Sequence, residues 1–386
     1  MLRTITATKA SARTTPGSVQ PNRLISSYER LQYRFNEYLR HRVIWRGYRK
    51  LLLAMVDIGS LPFGGGWTEA MQSDATTHLE RFNLPTSSVL WHRAFHAANG
   101  LYDSRYISEP LFFSHIEPSL SQRSRIGKYF DKNFYGRLQI TDEPLVLARV
   151  VGGRLAGADL KLIDVSRLCA LVKPWPEVVV KPALDSGGGN GIHFIESGNI
   201  VAMLAQLKRN GVSDLVIQAP ICQCTELAEL NNNSVNTLRV LTLRFGKNVV
   251  NLSTVLRIGR AGARVDNLAS GGLSVGVTSE GKLKAHAYDH HFVRYERHPE
   301  NGTVFLNHVV PSYTEAVTRC IDAHTSIPDV DLISWDVAVN ADRVPVIIEL
   351  NMNLQGIGLH QLSNGPLFGK LTDGVHERFP YRPKRS

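Results

Sequence analysis

The chain has 386 residues, enough for two or three lobes at roughly 150 residues per domain. Its 43% hydrophobic and 20% charged residues exclude collagen-like, coiled-coil and wholly disordered chains. Four cysteines do not make a disulfide scaffold, and the Cys222/Cys224 pair has no second pair or histidine cluster at zinc-finger spacing. The thiols therefore read as buried or half-buried side chains in a reducing compartment. The net charge of +10 is concentrated at one end: residues 1–50 hold 11 Lys and Arg against 2 Asp and Glu, and the remaining 336 residues carry only +1. That distribution argues against a nucleic-acid groove across the whole protein and for a basic terminal segment that meets something anionic.

Residues 1–22 contain no acidic residue and many Ser and Thr. They loosely resemble a transit peptide but lack the apolar core of a secretory signal, and a disordered basic tail is expected. Over 24–58, Leu24, Tyr28, Leu31, Phe35, Tyr38, Trp45, Tyr48, Leu52 and Met55 recur mostly at helical steps. This basic, Tyr- and Trp-rich helix could lie on an anionic membrane surface or dock on its own body by the apolar stripe. No apolar run approaches the ~18 residues of a membrane span. GSLPFGGGW (59–67) breaks the helix and serves as a linker, and 68–130 reads as mostly helical and irregular. His92 and His96 form an i, i+4 pair without the Glu of H-E-x-x-H or a third ligand, so they read as structural.

From 131 the pattern becomes alternating α/β. Strands are expected at 178–181, 192–195, 215–218, 238–244, 249–257, 273–278, 283–288, 304–309, 333–339 and 344–350, and helices at 200–208 and 312–324. The expected segments are a basic tail and helix (1–58), a small helical region (59–130), a lobe with a Gly-rich flap (131–219) and a lobe with a metal site (220–378).

Four constellations carry chemistry. In VVVKPALDSGGGNGI (178–192) a strand delivers Lys181, and Gly187, Gly188, Gly189 and Gly191 let main-chain N–H groups approach phosphate oxygens. It lacks the Gly-Lys-Ser/Thr of a P-loop, and a flexible surface hairpin would read the same way. In SWDVAVNADRVPVIIELNMN (334–353), Asp336 lies on one hairpin strand while Glu349 and Asn351, at i and i+2, share a face of the other. Hard oxygen ligands of this kind suit Mg²⁺; exposed carboxylates on an edge strand are the alternative. NNNSVNTLRVLTL (231–243) brings Asn236, which could complete a metal or phosphate shell, and Arg239, a planar fork for phosphate or carboxylate, unless it is only a turn entering a strand. LRIGRAGARVDNLASGGLSVGV (256–277) offers Arg257, Asp266 and Asn267 on a loop suited to recognition, or a plain crossover.

In order and type these residues resemble the ATP-grasp enzymes, and more narrowly the sugar-transfer associated ATP-grasp family. The resemblance rests on DKNFYGRL (131–138), KPALDSGGGNGI (181–192), SVNTLRVLTL (234–243), 256–277, HPENGTVF (298–305), SWDVAV (334–339), IELNMN (348–353) and QLSNGPLFGKLTDGV (361–375). It implies an α+β protein with two lobes clamping Mg·ATP, preceded here by a basic helical segment. Carried over by motif, Lys132 and Lys181 would contact ATP phosphates or the adenine region, and Gly187–Gly189 with Gly191 would form the flap. Gln218 and Ile221 would sit at the adenine hinge, with Glu226 as the ribose candidate because 219–224 lacks an acidic residue. Asp336, Glu349 and Asn351 would hold Mg²⁺; Arg239 would stabilise the transferred phosphoryl group; Arg257, Asp266 and Asn267 would face the acceptor.

The resemblance also implies ligation of a carboxylate to an amine through an acylphosphate, on a sugar acid or glycan precursor, without a Ser or Cys nucleophile. A kinase on the same fold, or a membrane-surface module with a regulatory ATP site, are the alternatives. The implied partners are small carboxylates and amines, with an anionic membrane surface as an option for 1–58 and no nucleic acid. The implied location is cytoplasmic, with attachment at the inner membrane face as an option. The region before Asp131 is too short and irregular for a full Rossmann-like lobe.

Overall fold

The computed structural model describes residues 43–121, 126–138, 145–184, 191–260, 262–266 and 271–381. The chain divides into 1–43, of which only Val43 is described, and 44–386, which carries both β-sheets and the helices packed on them. The basic tail and the first part of the expected 24–58 helix lie outside the described residues; 44–55 is helical. Its apolar stripe packs inward: Leu52 and Val56 are buried with Trp91, Phe95 and Tyr106, and the Tyr48 ring stacks on Phe113 at 4.9 Å. Each such side chain, fully buried, contributes about 1.5–3 kcal/mol, so this part of the helix docks on its own body.

The 59–67 stretch ends that helix, but as a compact turn rather than a linker. It forms short 3-10 turns Ile58–Ser60 and Gly64–Gly66, with Leu61 buried between them. Gly64 is required there, because a Cβ would meet the Ile58 carbonyl oxygen at 2.3 Å. The expected helical region follows as Glu69–Arg81, capped by the Thr68 hydroxyl, then Val89–Asn99 and short turns through Leu120. His92 is buried, its ring nitrogens on the main-chain oxygens of Ser88 and Ser104.

Among the described residues twelve strands follow: β1 Val146–Val151, β2 Arg154–Gly157, β3 Glu177–Pro182, β4 His193–Glu196, β5 Leu215–Gln218, β6 Thr237–Phe245, β7 Asn248–Ile258, β8 Leu273–Val277, β9 Leu283–Tyr288, β10 Arg294–Tyr295, β11 Leu332–Val339 and β12 Pro345–Asn351. They form a five-stranded sheet, order β2-β1-β5-β3-β4, and a seven-stranded sheet, order β10-β9-β8-β7-β6-β11-β12, with every pairing antiparallel. In the smaller sheet, alternate residues such as Val178 and Val180 pack under helices Val165–Val172 and Ile200–Arg209, which turns Val179 and Lys181 to the opposite face.

The larger sheet is buried on both faces. One face, with Val240, Val275 and Trp335, packs on helix Tyr313–Thr325 through Ala316 and Cys320. The other carries Leu241, Leu243 and Leu332 against the N-terminal helical layer. Further along that second face the apolar row gives way to Thr237, Arg239, Arg257, Asp336 and Glu349, which alone leaves room for a polar site.

The strand expected at 304–309 does not form. The segment makes isolated bridges, Arg297 with Val304 and Lys282 with Val309, and Asn307 sits at φ 64, where an extended chain cannot continue. Hairpin β1–β2 has no counterpart among the sequence-based expectations.

Candidate functional site

Strand register assembles the site. Arg239 on β6 pairs with Asp336 on β11, which pairs with Glu349 on β12, so three charged residues from three strands stand in one row on one face. Two residues along, Thr237 pairs with Arg257 on β7, and Asn351 pairs with Ser334. The Arg239 Nε lies 2.5 Å from Asp336 Oδ1, and its Nη2 donates to Oδ2 at 3.0 Å. The Arg257 Nη2 lies 3.2 Å from the same Oδ2, and its Nε and Nη2 donate to the Thr237 hydroxyl at 3.1 and 2.8 Å. That hydroxyl donates to Asp266.

Lys132 reaches the row from outside, its Nζ 3.0 Å from Glu349 Oε1. Its own main chain is held by the Ala183 carbonyl and by the Arg149 guanidinium, which donates to the Lys132 carbonyl at 2.9 Å.

Two cations on one carboxylate in a buried place set the electrostatics. Burial, followed by Arg257 nearby, pulls Arg239 below its ordinary pKa. Burial pulls Arg257 down too, but Asp266, Asp336 and Glu349 outweigh it, and Arg257 ends above its usual value. Burial raises the Asp266 carboxyl, against the opposing pull of Arg257. Removing one partner from such a cluster costs about 3–5 kcal/mol, because the other charge stays buried.

The row floors a cavity of about 460 Å³ between the two sheets, within the ordinary range for a small-molecule site. Lys181, Phe194 and Gln218 line it from the smaller sheet, Ala219 to Gln223 from the connecting segment, and Asp336, Glu349 and Asn351 from the larger one. Of the expected site residues, Gln218, Ile221, Lys181, Arg239, Arg257, Asp266, Asp336, Glu349 and Asn351 line this one cavity.

Lys132 does not line the cavity but pairs with Glu349, which does, and three further expected site residues do not line it. Asn236 is fully buried, and its amide nitrogen donates to the main-chain oxygens of Leu227 and Asn231 and to Gln223. Glu226 turns away to Arg343, 2.7 Å distant. Gly191 sits just before β4 at φ +76, a position that favours glycine. Gly187, Gly188, Gly189 and Asn267 lie outside the described residues.

Two residues at the cavity stand outside the expected site set: Thr237, noted only as polar at the strand entrance, which joins Arg257 to Asp266, and Arg264. The latter stacks on Phe194, its guanidinium carbon 3.7 Å from the ring centroid, and forks onto Glu177 of β3. No local motif announces either: both partnerships depend on register and on a loop crossing between sheets.

The donor set fits a hard divalent cation. Two carboxylates and an amide on adjoining strands supply only oxygen ligands, and the Asn351 Nδ2 is buried without a partner among the described residues, so its amide is not committed elsewhere. Among the described residues no group of three or more His, Cys, Asp and Glu could hold a metal, so water or phosphate oxygens would complete the shell.

Two facing antiparallel sheets, with a lysine-bearing strand opposite an Arg–Asp–Glu row, have the layout of the ATP-grasp class. The chain belongs to the sugar-transfer associated ATP-grasp family, whose model matches residues 131–375. Among solved structures it is similar to the biotin carboxylase domain of Hydrogenobacter thermophilus 2-oxoglutarate carboxylase, in complex with MgADP, ADP and bicarbonate: 15% identity, 67% of this chain, 47% of that one, TM-score 0.41. It is similar also to D-alanine–D-alanine ligases from Coxiella burnetii (9% identity, 65% and 58% covered, TM-score 0.39) and Bacillus anthracis (13%, 67% and 70%, TM-score 0.38). The chain spans about half the length of the biotin carboxylase chains it matches. No curated protein matches the sequence.

Proposed function

We propose that this protein is an ATP-dependent ligase that activates a carboxylate as an acylphosphate and passes the acyl group to an amine, in the assembly of a surface polysaccharide or glycan precursor. The observation that carries this reading is the Arg239–Asp336–Glu349 row beneath the 460 Å³ cavity, with Lys132 and Lys181 beside it. Mg²⁺, held by Asp336, Glu349 and Asn351, would supply charge neutralisation on the phosphates. Lys181 on β3 supplies positive charge at the cavity wall, and Lys132, ion-paired to Glu349, supplies it just behind.

In the reaction an oxygen of the substrate carboxylate bonds to the γ-phosphorus as the bond to ADP breaks. The amine then bonds to the acyl carbon, phosphate leaves and the amine loses a proton. Arg239 and Arg257 are placed to hold the transferring group, and positioning with charge neutralisation is the main task of a phosphoryl-transfer site. Asn236 acts one step back, holding the 231–236 loop whose Ser234 and Val235 line the cavity.

The test is Mg²⁺-dependent ADP release across pooled acids and amines. Stimulation that needs both pools, with a condensed product by mass and a loss of at least about 100-fold in Glu349→Gln, supports the ligase. A stable phosphorylated product with no condensation replaces it with a kinase. Failure to bind Mg·ATP overturns the reading.

A further inference from the structure

A second cavity of about 250 Å³ opens on the same face of the larger sheet, and Arg239 and Arg257 line both cavities. The two guanidiniums are therefore a shared wall. Asp336 accepts from Nη2 of Arg239 and pairs with its Nε, Thr237 accepts from Nε and Nη2 of Arg257, whose Nη2 also pairs with Asp336, and neither Nη1 has a hydrogen-bond partner among the described residues.

The rest of the second cavity differs in character from the first. Leu51, Leu52, Met55 and Val56 of the N-terminal segment, with Val255, Phe292 and Leu359, give it apolar walls. Its polar groups besides the two arginines are Tyr48, Glu109, Ser274, His290 and His360. Ser274 is fully buried and its hydroxyl has no partner among the described residues. His360 is buried with Nδ1 on the Ser253 hydroxyl at 2.9 Å. Glu109 stands against Gly358, where any Cβ would come within 2.9 Å of its Oε1.

We propose that this cavity is the carboxylate co-substrate's site, taking a small acid with a compact apolar body: its carboxylate on Arg239 and Arg257, its body against the 44–56 segment and Phe292. The inference rests on the ligase reading and narrows it. A polyhydroxylated sugar acid would bury hydroxyls against Leu52, Met55 and Phe292, which offer no partners, at a cost that grows with each hydroxyl. The volume, just below the usual range for ligand sites, fits a small metabolite-sized acid. The shared arginines put the carboxylate where the nucleotide cavity begins, as transfer of a phosphoryl group to a carboxylate oxygen requires. The N-terminal helix is then a wall of the substrate site.

The test titrates straight-chain monocarboxylates from acetate to octanoate into the full-length protein with Mg·ADP, by calorimetry. Affinity is expected to rise about fourfold per methylene and then stop rising as the cavity fills. Hexanamide is expected to bind at least about tenfold more weakly than hexanoate, and gluconate no better than acetate. Met55→Trp, which fills the cavity, is expected to weaken hexanoate at least about tenfold with Mg·ADP affinity retained. Leu51→Trp, at a half-exposed position, gives the same readout if Met55→Trp does not fold. Affinity independent of chain length, tighter gluconate, or hexanoate binding unchanged in a variant that still binds Mg·ADP overturns the proposal. Loss of Mg·ADP binding in the wild type, with hexanoate still bound in the chain-length pattern, overturns the ligase reading and leaves the acid site standing.

Discussion

Cys222 lines the larger cavity and is exposed, while Cys224 and Cys320 are buried and Cys169, also exposed, stands on helix Val165–Val172 outside it. One thiol therefore reports on the cavity and another serves as control. Mg·ATP at ten times its dissociation constant is expected to slow maleimide labelling of Cys222 roughly tenfold and leave Cys169 unchanged, read by peptide mass; equal rates with and without nucleotide would remove ATP from this cavity. Arg257 makes the sharper case for geometry over charge. Its fork touches Thr237, Asp266 and Asp336 together, which a lysine ammonium cannot do. Arg257→Lys is expected to lower kcat by about 100-fold or more with a much smaller change in Mg·ADP affinity, and near-normal turnover would show that a point charge suffices.

The loop 231–236 shows how one element is set by another. Gln223 donates to the Asn231 and Ser234 carbonyls and accepts from Asn236, whose amide closes the loop on Leu227. Asn236→Ala would leave two buried carbonyls without that donor, a cost of about 1–3 kcal/mol. The expected result is a fall in Tm of several degrees with weaker Mg·ADP binding, and an unchanged melt would mean that Gln223 alone fixes the loop. Asn236 shows why the site was only partly legible in sequence. Its position in NNNSVNTLRV is visible, but whether an amide faces a ligand or the main chain depends on Gln223, thirteen residues away. Glu226 fails for the same reason, since Arg343 lies far off in sequence. Asp336, Glu349 and Asn351 were legible because a two-stranded hairpin and a period of two decide their face locally. The strands from β6 to β9 were legible from β-branched runs between turns. Hairpin β1–β2 carries a strong local signal that was passed over: Gly152 and Gly153 both have positive φ, as a two-residue turn of this hand demands.

At the scale of the whole molecule, the two cavities, the N-terminal helix and the helical layer share one sheet face, so what buries that face also tunes its acid stability. No helix among the described residues is long and apolar enough to cross a membrane, and the 44–55 stripe is committed to the interior. His324, buried on helix Tyr313–Thr325 at the opposite face, and His360 and His376, beneath these layers, have pKa values held down to about 4, 3 and 4. Burial is the main cause in each, aided by Arg244 for the first, Arg239 and Arg257 for the second, and His78 for the third. In the unfolded chain each titrates near pH 6.5. Above that value neither state carries the proton and these groups give no pH dependence. Below it the unfolded chain takes up protons that the folded protein refuses, so stability falls by up to about 1.4 kcal/mol per pH unit for each, roughly 4 for the three, until the folded values near 4 and 3 are reached. Asp266, Glu109 and Asp331, raised by burial, act in the opposite sense. His376 isolates the effect: it packs on Phe82, 5.0 Å between ring centroids, both its nitrogens lack partners among the described residues, and it lines neither cavity. Urea unfolding at pH 7.0 and 5.5 is expected to show His376→Met gaining about 1.2 kcal/mol on the wild type at the lower pH relative to the higher. A constant difference between the two proteins would mean that the folded protein protonates His376 as readily as the unfolded chain does.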